Sequence, residues 1–126
     1  ERPLPPDAWP TLTVKGNHNR AGLTPTSGDG LATAVERWPE HVSGPLNPAW
    51  CEAFMGFPLN WTDPHTDLEH VPGWPKGQGP DQHEWEPPRM VAPRTVPHRG
   101  ERIKCLGNAV VPAIGAVAAA RARAAL

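Results

Sequence analysis

Five basic side chains close to the C-terminal end have the type and spacing that most favour a chemical role. They lie within 16 residues of one another and are offset by one carboxylate, that of Glu101. An extended basic segment can follow a phosphate backbone, and the planar guanidinium of arginine matches phosphate oxygens. A solvated basic loop explains the pattern equally well. The five are Arg89, Arg94, Arg99, Arg102 and Lys104. We take Arg94 and Arg99 as the candidate DNA contacts.

A polar turn near the N-terminal end gives a weaker indication of the same kind. Lys15 and Arg20 flank Asn17 and Asn19, whose amides can hydrogen-bond to base edges. We therefore include Lys15 and Arg20 among the candidate DNA-binding residues.

The histidines and cysteines do not have the spacing of a metal site. None of the six histidines lies two to four residues from another histidine or a cysteine, as zinc ligands commonly do. The nearest approach to a cluster is His65 and His70 with Asp63 and Asp67. We interpret these four as solvated loop residues and predict no bound metal.

No nucleophile is placed for catalysis. Cys51 lies one turn inside a predicted helix, where the helix dipole can lower the pKa of a thiol. It neighbours Trp50 and Phe54, however, and this apolar setting favours burial. We interpret Cys51 and Cys105 as reduced, buried structural residues and assign no catalytic residue.

The clearest element that could position such side chains is residues 47–56. Asn47 is a good N-cap, Pro48 suits the first helical position, and Gly56 provides a left-handed stop. Trp50 and Phe54 lie at helical spacing between them. The sequence therefore predicts a short helix with one apolar face.

The other segments before residue 98 are less regular. Residues 9–14 have the β-branched content of one short strand, and residues 31–37 can hold about two helical turns. Eight prolines and three glycines lie between residues 63 and 97, which excludes a long helix or a central strand. This stretch is predicted to be a long loop, of the kind that is functional, disordered or packed on a partner.

The last segment changes character. Residues 103–106 lead to a predicted turn at Gly107 and Asn108, and residues 109–126 are alanine-rich and predict a helix that tolerates Pro112 in its first turn. Its apolar stripe consists of Val110, Ile114, Val117 and Ala118. A chain this small has little to cover that stripe, so we expect a partner.

Composition limits the class of protein. The chain has 126 residues, enough for one domain, and its 18 prolines and 12 glycines approach the content of low-complexity chains. Six tryptophans argue against general disorder, because they have large surfaces to bury. Two cysteines interpreted as reduced favour a cytoplasmic location. We find no signal peptide and no run of about 18 apolar residues, and we therefore predict no membrane span. The chain begins at Glu1, and we interpret it as a fragment.

Two stretches resemble consecutive motifs of the DNA cytosine-5 methyltransferases. Residues 102–112, RIKCLGNAVVP, are similar to the last conserved motif of that family. Residues 46–61, LNPAWCEAFMGFPLNW, are similar to the preceding motif with its Gly-Phe-Pro core. The two stretches occur in the family's order, cover 27 of 126 residues, and are most similar to phage and prophage members.

The resemblance implies an α/β fold, in which this chain is the C-terminal piece of a Rossmann-like methyltransferase. Taken alone, the piece is expected to be loop-rich, with two short-to-medium helices and little sheet. Residues 1–62 would form a target-recognition-like region, 63–98 a Pro/Gly-rich loop, and 99–126 the cofactor-side motif with the C-terminal helix. The resemblance implies that Gly107, Asn108 and Ala109 contact S-adenosyl-L-methionine, in a pocket that the missing catalytic half completes.

The chain also departs from the family. Trp50 stands where members often have a glutamate, with Glu52 two residues further on, and Ala109 replaces a serine found in some members. The Pro-Cys loop that supplies the family's nucleophile is absent from these residues, as are the Glu-Asn-Val acid and the glycine-rich cofactor loop. The chain alone is therefore not expected to methylate DNA.

The expected partners are DNA and the N-terminal catalytic half of a methyltransferase, in the cytoplasm of a bacterial or phage-infected cell and without a membrane. Two alternatives stay open. One is a stand-alone DNA-binding or accessory protein derived from such an enzyme. The other is a structural interaction module whose C-terminal helix docks on another protein.

Overall fold

The computed structural model of the protein describes residues 9–12, 30–36 and 44–126. The helices in these residues are α1 (Leu31–Glu36), α2 (Pro48–Met55), α3 (Arg99–Asn108) and α4 (Pro112–Ala124). Strand-like pairing within the same residues is limited to two isolated antiparallel bridges, Leu46 with Met90 and Leu59 with Glu69. The prediction of a loop-rich chain is confirmed, with more helices than the two expected. The α/β assignment depends on a sheet outside this chain and stays a prediction.

Helix α2 forms where the sequence predicts it, because its end signals are local. Asn47 has extended backbone angles, and its side-chain Oδ1 accepts a hydrogen bond from the Ala49 N–H at 3.2 Å. Gly56 adopts the left-handed conformation with φ of 83° and donates its N–H to the carbonyl of Ala53. Trp50 is fully buried on the face between these caps.

Helix α3 corrects the prediction of a turn at Gly107 and Asn108, since both residues belong to its last turn. The chain leaves the helix at Ala109, which has extended angles. Ile103 and Leu106 lie one turn apart and are both buried, and α3 packs on α2. Burial of two aliphatic side chains outweighs the cost of about 1 kcal/mol that a glycine brings to a helix.

Helix α4 begins at Pro112, which occupies the first helical turn as predicted. None of its residues is buried. Val110 just before it and Ile114 and Val117 within it are 63%, 64% and 52% exposed. The expectation of an uncovered apolar stripe is confirmed.

The segment Arg99–Ala124 includes both C-terminal helices, α3 and α4. It has the length and the apolar composition to cross a membrane, and only 11% of its most apolar window is buried. The chain leaves helical geometry between the end of α3 at Asn108 and the start of α4 at Pro112. The predicted cytoplasmic location and the absence of a membrane partner stay predictions.

The N-terminal part contributes one short helix to the core. α1 confirms the prediction of about two helical turns after residue 30, and its Leu31 and Val35 are buried. Residues 9–12 form no strand, and residues 13 and 14 of that prediction lie outside the described part. The core consists of Leu12, Leu31, Val35, Leu46, Trp50, Cys51, Met55, Met90, Ile103 and Leu106.

The Pro/Gly-rich segment is a long loop, as predicted, and a buried arginine holds it on the core. Arg89 is fully buried and donates hydrogen bonds to the backbone carbonyls of Gly79 and, at 2.9 Å, Asp81. Its guanidinium carbon lies 5.0 Å from the centre of the Trp9 ring and 6.0 Å from that of Trp50. One cation thus joins the loop to α2 and to the N-terminal segment.

Candidate functional site

The corner between α3 and α4 carries the three residues expected at the cofactor. Gly107 and Ala109 are half-buried, and Asn108 is exposed. The Ala109 N–H donates to the carbonyl of Leu106 at 3.1 Å, which ends α3 and turns the chain toward α4. The corner offers an accessible side-chain amide beside a backbone position without a side chain, so it can border a ligand on one side.

A buried ion pair fixes α3, and with it this corner, relative to α2. Glu52 is fully buried, and its Oε1 accepts hydrogen bonds from Arg102 Nη2 and from the Thr62 N–H, both at 2.9 Å. Its Oε2 accepts from the Asn60 N–H at 2.6 Å. The Thr62 hydroxyl donates to Glu52 Oε1 at 2.5 Å and accepts from Arg102 Nε at 2.8 Å. Every bond in this cluster involves a charged group, so each is stronger than a neutral one.

The Glu52–Arg102 pair was missed by sequence reasoning. In the sequence, Glu52 stands out only because it lies two residues from the position where members of the resembled family often have a glutamate. Arg102 belongs to the segment of five basic residues. A usable signal was present, because Glu52 directly follows the buried Cys51 on a short helix with little exposed face. A carboxylate on such a face needs a partner, and buried charges are generally paired.

The five-cation segment does not form one continuous basic surface, which corrects the simplest version of the phosphate-tracking hypothesis. Arg89 and Arg102 are both buried, with 0% and 7% of their surface exposed. Their guanidinium groups bind carbonyls and carboxylates of this chain. Partners 8 to 50 residues away in the sequence therefore occupy two of the five cations.

The structure describes two of the four residues predicted to contact DNA, and these two differ in exposure. Arg94 is exposed, in a left-handed backbone conformation with φ of 64°. Arg99 is half-buried and donates through Nε to the carbonyl of Leu46 at 2.9 Å. Partial burial lowers the pKa of Arg99 from its ordinary value, yet an arginine stays charged. Lys15 and Arg20 lie outside the described residues, and all four assignments stay predictions.

The two cysteines differ in exposure, and both are free thiols. Cys51 is fully buried, which confirms it as a core residue. Burial raises the pKa of its thiol far above the ordinary value, which argues against a nucleophile. Cys105 is exposed, so the prediction of its burial is wrong. On α3 the buried positions are taken by Arg102, Ile103 and Leu106, and Cys105 lies on another face of the helix.

The loop after α2 uses its one half-buried carboxylate to shape a turn. Asp63 accepts hydrogen bonds from the His65 N–H at 2.9 Å and the Thr66 hydroxyl at 3.0 Å. These bonds, the His65 one most, lower the pKa of Asp63. Among the described residues no three His, Cys, Asp or Glu side chains are grouped to hold a metal ion.

No protein-family model matches this chain, and no curated protein or solved structure matches it either. The resemblance described above therefore rests on residues 46–61 and 102–112. Any functional conclusion depends on how these two stretches contact each other and on the surfaces that they leave open.

Proposed function

We propose that the chain is the C-terminal portion of an S-adenosylmethionine-dependent DNA cytosine-5 methyltransferase and is inactive alone. The observation that carries the proposal is a contact between the two motif-like stretches. Glu52 belongs to the first and Arg102 to the second, and they form a buried ion pair at 2.9 Å across 50 residues of sequence. Two motifs that serve one site are expected to contact each other, and this ion pair joins the two stretches directly.

The proposed cofactor contact lies at the corner after α3. Asn108 is exposed there and Gly107 leaves the backbone accessible, which fits one wall of a pocket. The other walls would come from the catalytic half. S-adenosylmethionine would supply the methyl group that the complete enzyme transfers to a cytosine turned out of the duplex. Within this chain, Glu52 and Arg102 hold the corner in position.

The uncovered face of α4 supports a second part of the proposal, the requirement for a catalytic half. Ile114 and Val117 are more than half exposed although they lie on one side of a regular helix. Exposed apolar patches of this kind commonly mark interaction sites. In the proposed enzyme this face of α4 packs on the Rossmann-like domain, and Arg94, Arg99, Lys15 and Arg20 contact the DNA.

The first test is the nucleotide sequence before the codon for Glu1. The proposal expects a reading frame there, continuous or separate, that encodes a Pro-Cys motif and a glycine-rich cofactor loop. The second test mixes the protein from that frame with this chain, duplex DNA and labelled S-adenosylmethionine. We expect methyl transfer only in the mixture, and a much weaker transfer with Asn108→Ala than with the control variant Glu84→Gln. Transfer that is independent of this chain would contradict the proposal.

The exposed position of Arg94 favours the accessory protein as the second candidate function. In that case the chain alone binds duplex DNA, and the binding is lost at high salt and on replacing Arg94 and Arg99 by alanine. No methyl transfer occurs in any mixture. DNA binding by the chain alone together with transfer in the mixture would retain the first proposal.

A further inference from the structure

A cavity of about 300 Å³ lies beside the C-terminal end of α2, away from the α3–α4 corner. Phe57 and Trp74 line it, together with His70 and the neighbouring prolines Pro58 and Pro72. Trp74 is 53% exposed. The cavity therefore presents a large aromatic surface to solvent.

The position of Trp74 depends on the glycine that ends α2. Gly56 has φ of 83°, and a Cβ atom added to it would lie 2.5 Å from Cη2 of the Trp74 ring. Only a glycine leaves room for the ring here. On the other side of the cavity, Phe57 stacks on Trp61 with ring centres 5.3 Å apart and planes inclined by 20°. Trp61 is itself 50% exposed, so a second flat ring is accessible.

The segment that carries these rings is acidic. Residues 53–75 contain Asp63, Asp67 and Glu69 and neither lysine nor arginine. Asp67 and Glu69 are exposed, whereas Asp63 lies 3.8 Å from the buried Arg102. The first cation that follows is Lys76, two residues beyond Trp74. A ligand at the rings therefore approaches a segment that carries three carboxylates and no lysine or arginine.

Backbone pairing holds the two exposed acidic residues beside the segment that carries Phe57 and Trp61. Leu59 and Glu69 exchange two backbone hydrogen bonds, at 2.8 and 3.1 Å. The Asn60 side chain also donates to the carbonyl of Asp67 at 2.9 Å. Asp67 and Glu69 are thus fixed against the turn that leads into Trp61. We call Phe57, Trp61, Asp67, Glu69 and Trp74 the aromatic–acidic surface.

We propose that the aromatic–acidic surface binds an arginine-bearing peptide segment of a partner protein. A guanidinium group stacks on indole faces and donates to carboxylates at the same time. The same carboxylates repel the phosphates of a nucleic acid, which disfavours base stacking on Trp61 and Trp74 as the function. This inference goes beyond the proposed methyltransferase function and does not depend on it, because the surface contains no cofactor or DNA residue.

The test titrates the full 126-residue chain with a fluorescein-labelled peptide of alternating glycine and arginine and follows its anisotropy. The matched probe has citrulline in place of arginine, which keeps the shape and removes the charge. We expect saturable binding of the arginine peptide only. Indole N–H signals of Trp61 and Trp74 in a ¹H–¹⁵N spectrum are expected to shift, and that of the buried Trp50 to stay in place.

Two variants locate the binding. Asp67→Asn with Glu69→Gln keeps the backbone pairing and is expected to weaken binding roughly two- to tenfold and to reduce its salt dependence. Trp74→Ala is expected to weaken it roughly two- to fivefold, the contribution of one cation–π contact. Glu36→Gln, an exposed carboxylate on α1, is the control and leaves binding unchanged.

Several results would overturn the proposal. They are equal binding of the citrulline peptide, no saturable binding, shifts confined to other indoles, and retention of wild-type affinity in the Asp67→Asn/Glu69→Gln variant. Stronger binding of oligothymidylate than of the arginine peptide would also overturn it and would identify the rings as a stacking site for single strands. Failure of the methyltransferase test leaves each of these readouts unaffected.

Discussion

Replacing Glu52 by glutamine tests the connection that holds the two motif-like stretches together. The carboxylate accepts four hydrogen bonds, from Asn60, twice from Thr62, and from Arg102. A glutamine of the same shape directs an NH₂ group at some of these donors and leaves the charge of Arg102 without its closest partner. Asp63 at 3.8 Å compensates only in part.

The expected loss of stability is large for a substitution of equal size. Breaking a buried ion pair by removing one partner costs about 3–5 kcal/mol, and a small domain has roughly 5–15 kcal/mol in total. Urea unfolding followed by tryptophan fluorescence measures the loss, because Trp50 is buried in the core. The control is Glu84→Gln at an exposed loop position, which is expected to stay within about 0.5 kcal/mol of the unchanged chain.

A double variant separates the free energy of interaction between Glu52 and Arg102 from the individual effects of the two side chains. Replacing Glu52 and Arg102 together by methionine removes both charges, so the second substitution is expected to cost much less than it does alone. A coupling free energy of roughly 1–3 kcal/mol would follow from such a cycle. The reasoning would be refuted if the Glu52→Gln variant had the same unfolding free energy as the Glu84→Gln control. It would also be refuted if the effects of the two single methionine replacements were additive.

Four further predictions concern other parts of the molecule. Asn47→Ala removes the cap of α2 and the 2.8 Å bond from Asn47 Nδ2 to the Pro88 carbonyl, and is expected to cost about 1–2 kcal/mol in urea unfolding; no loss would contradict the capping role. Iodoacetamide is expected to label Cys105 in the folded chain and Cys51 only in urea, and mass spectrometry of peptides distinguishes them. The raised pKa of Cys51 means that the folded state holds this proton more tightly than the unfolded chain, so its contribution to stability is complete below the unfolded pKa of about 8.5 and declines above it. Ile114→Glu is expected to change the unfolding free energy by less than about 0.5 kcal/mol, since Ile114 is 64% exposed, yet to abolish association with a catalytic half; a large destabilisation would show that α4 is already packed.

Elements whose signals are local could be predicted from the sequence. Asn47, Pro48 and Gly56 specify α2 by their own backbone preferences, and the structure places them at its cap, first residue and stop. α3 could not be found this way. Gly107 and Asn108 favour a turn locally, and only the burial of Ile103 and Leu106 against α2 extends the helix through them.

The charged residues show the same limit more strongly. Sequence alone groups Arg89 and Arg102 with the exposed Arg94, because all three are close in the chain. Arg102 is buried because it binds Glu52, which lies 50 residues away in the sequence. Arg89 is buried because it binds backbone carbonyls of its own loop. A partner that is distant in the sequence leaves no local pattern, so the sequence alone cannot separate these two buried arginines from exposed ones.

The isolation of α4 has a thermodynamic consequence. None of its 13 residues is buried, and a helix of that length is marginal in water when little tertiary packing supports it. Amide hydrogens of α4 are therefore expected to exchange orders of magnitude faster than those of α2 and α3, whose side chains form the core. A partner that covers Ile114 and Val117 would capture the helix from a helix–coil equilibrium. The affinity of that partner would be lowered by the entropy cost of ordering α4. A substitution that raises the helix propensity of α4 would therefore tighten binding without adding a contact.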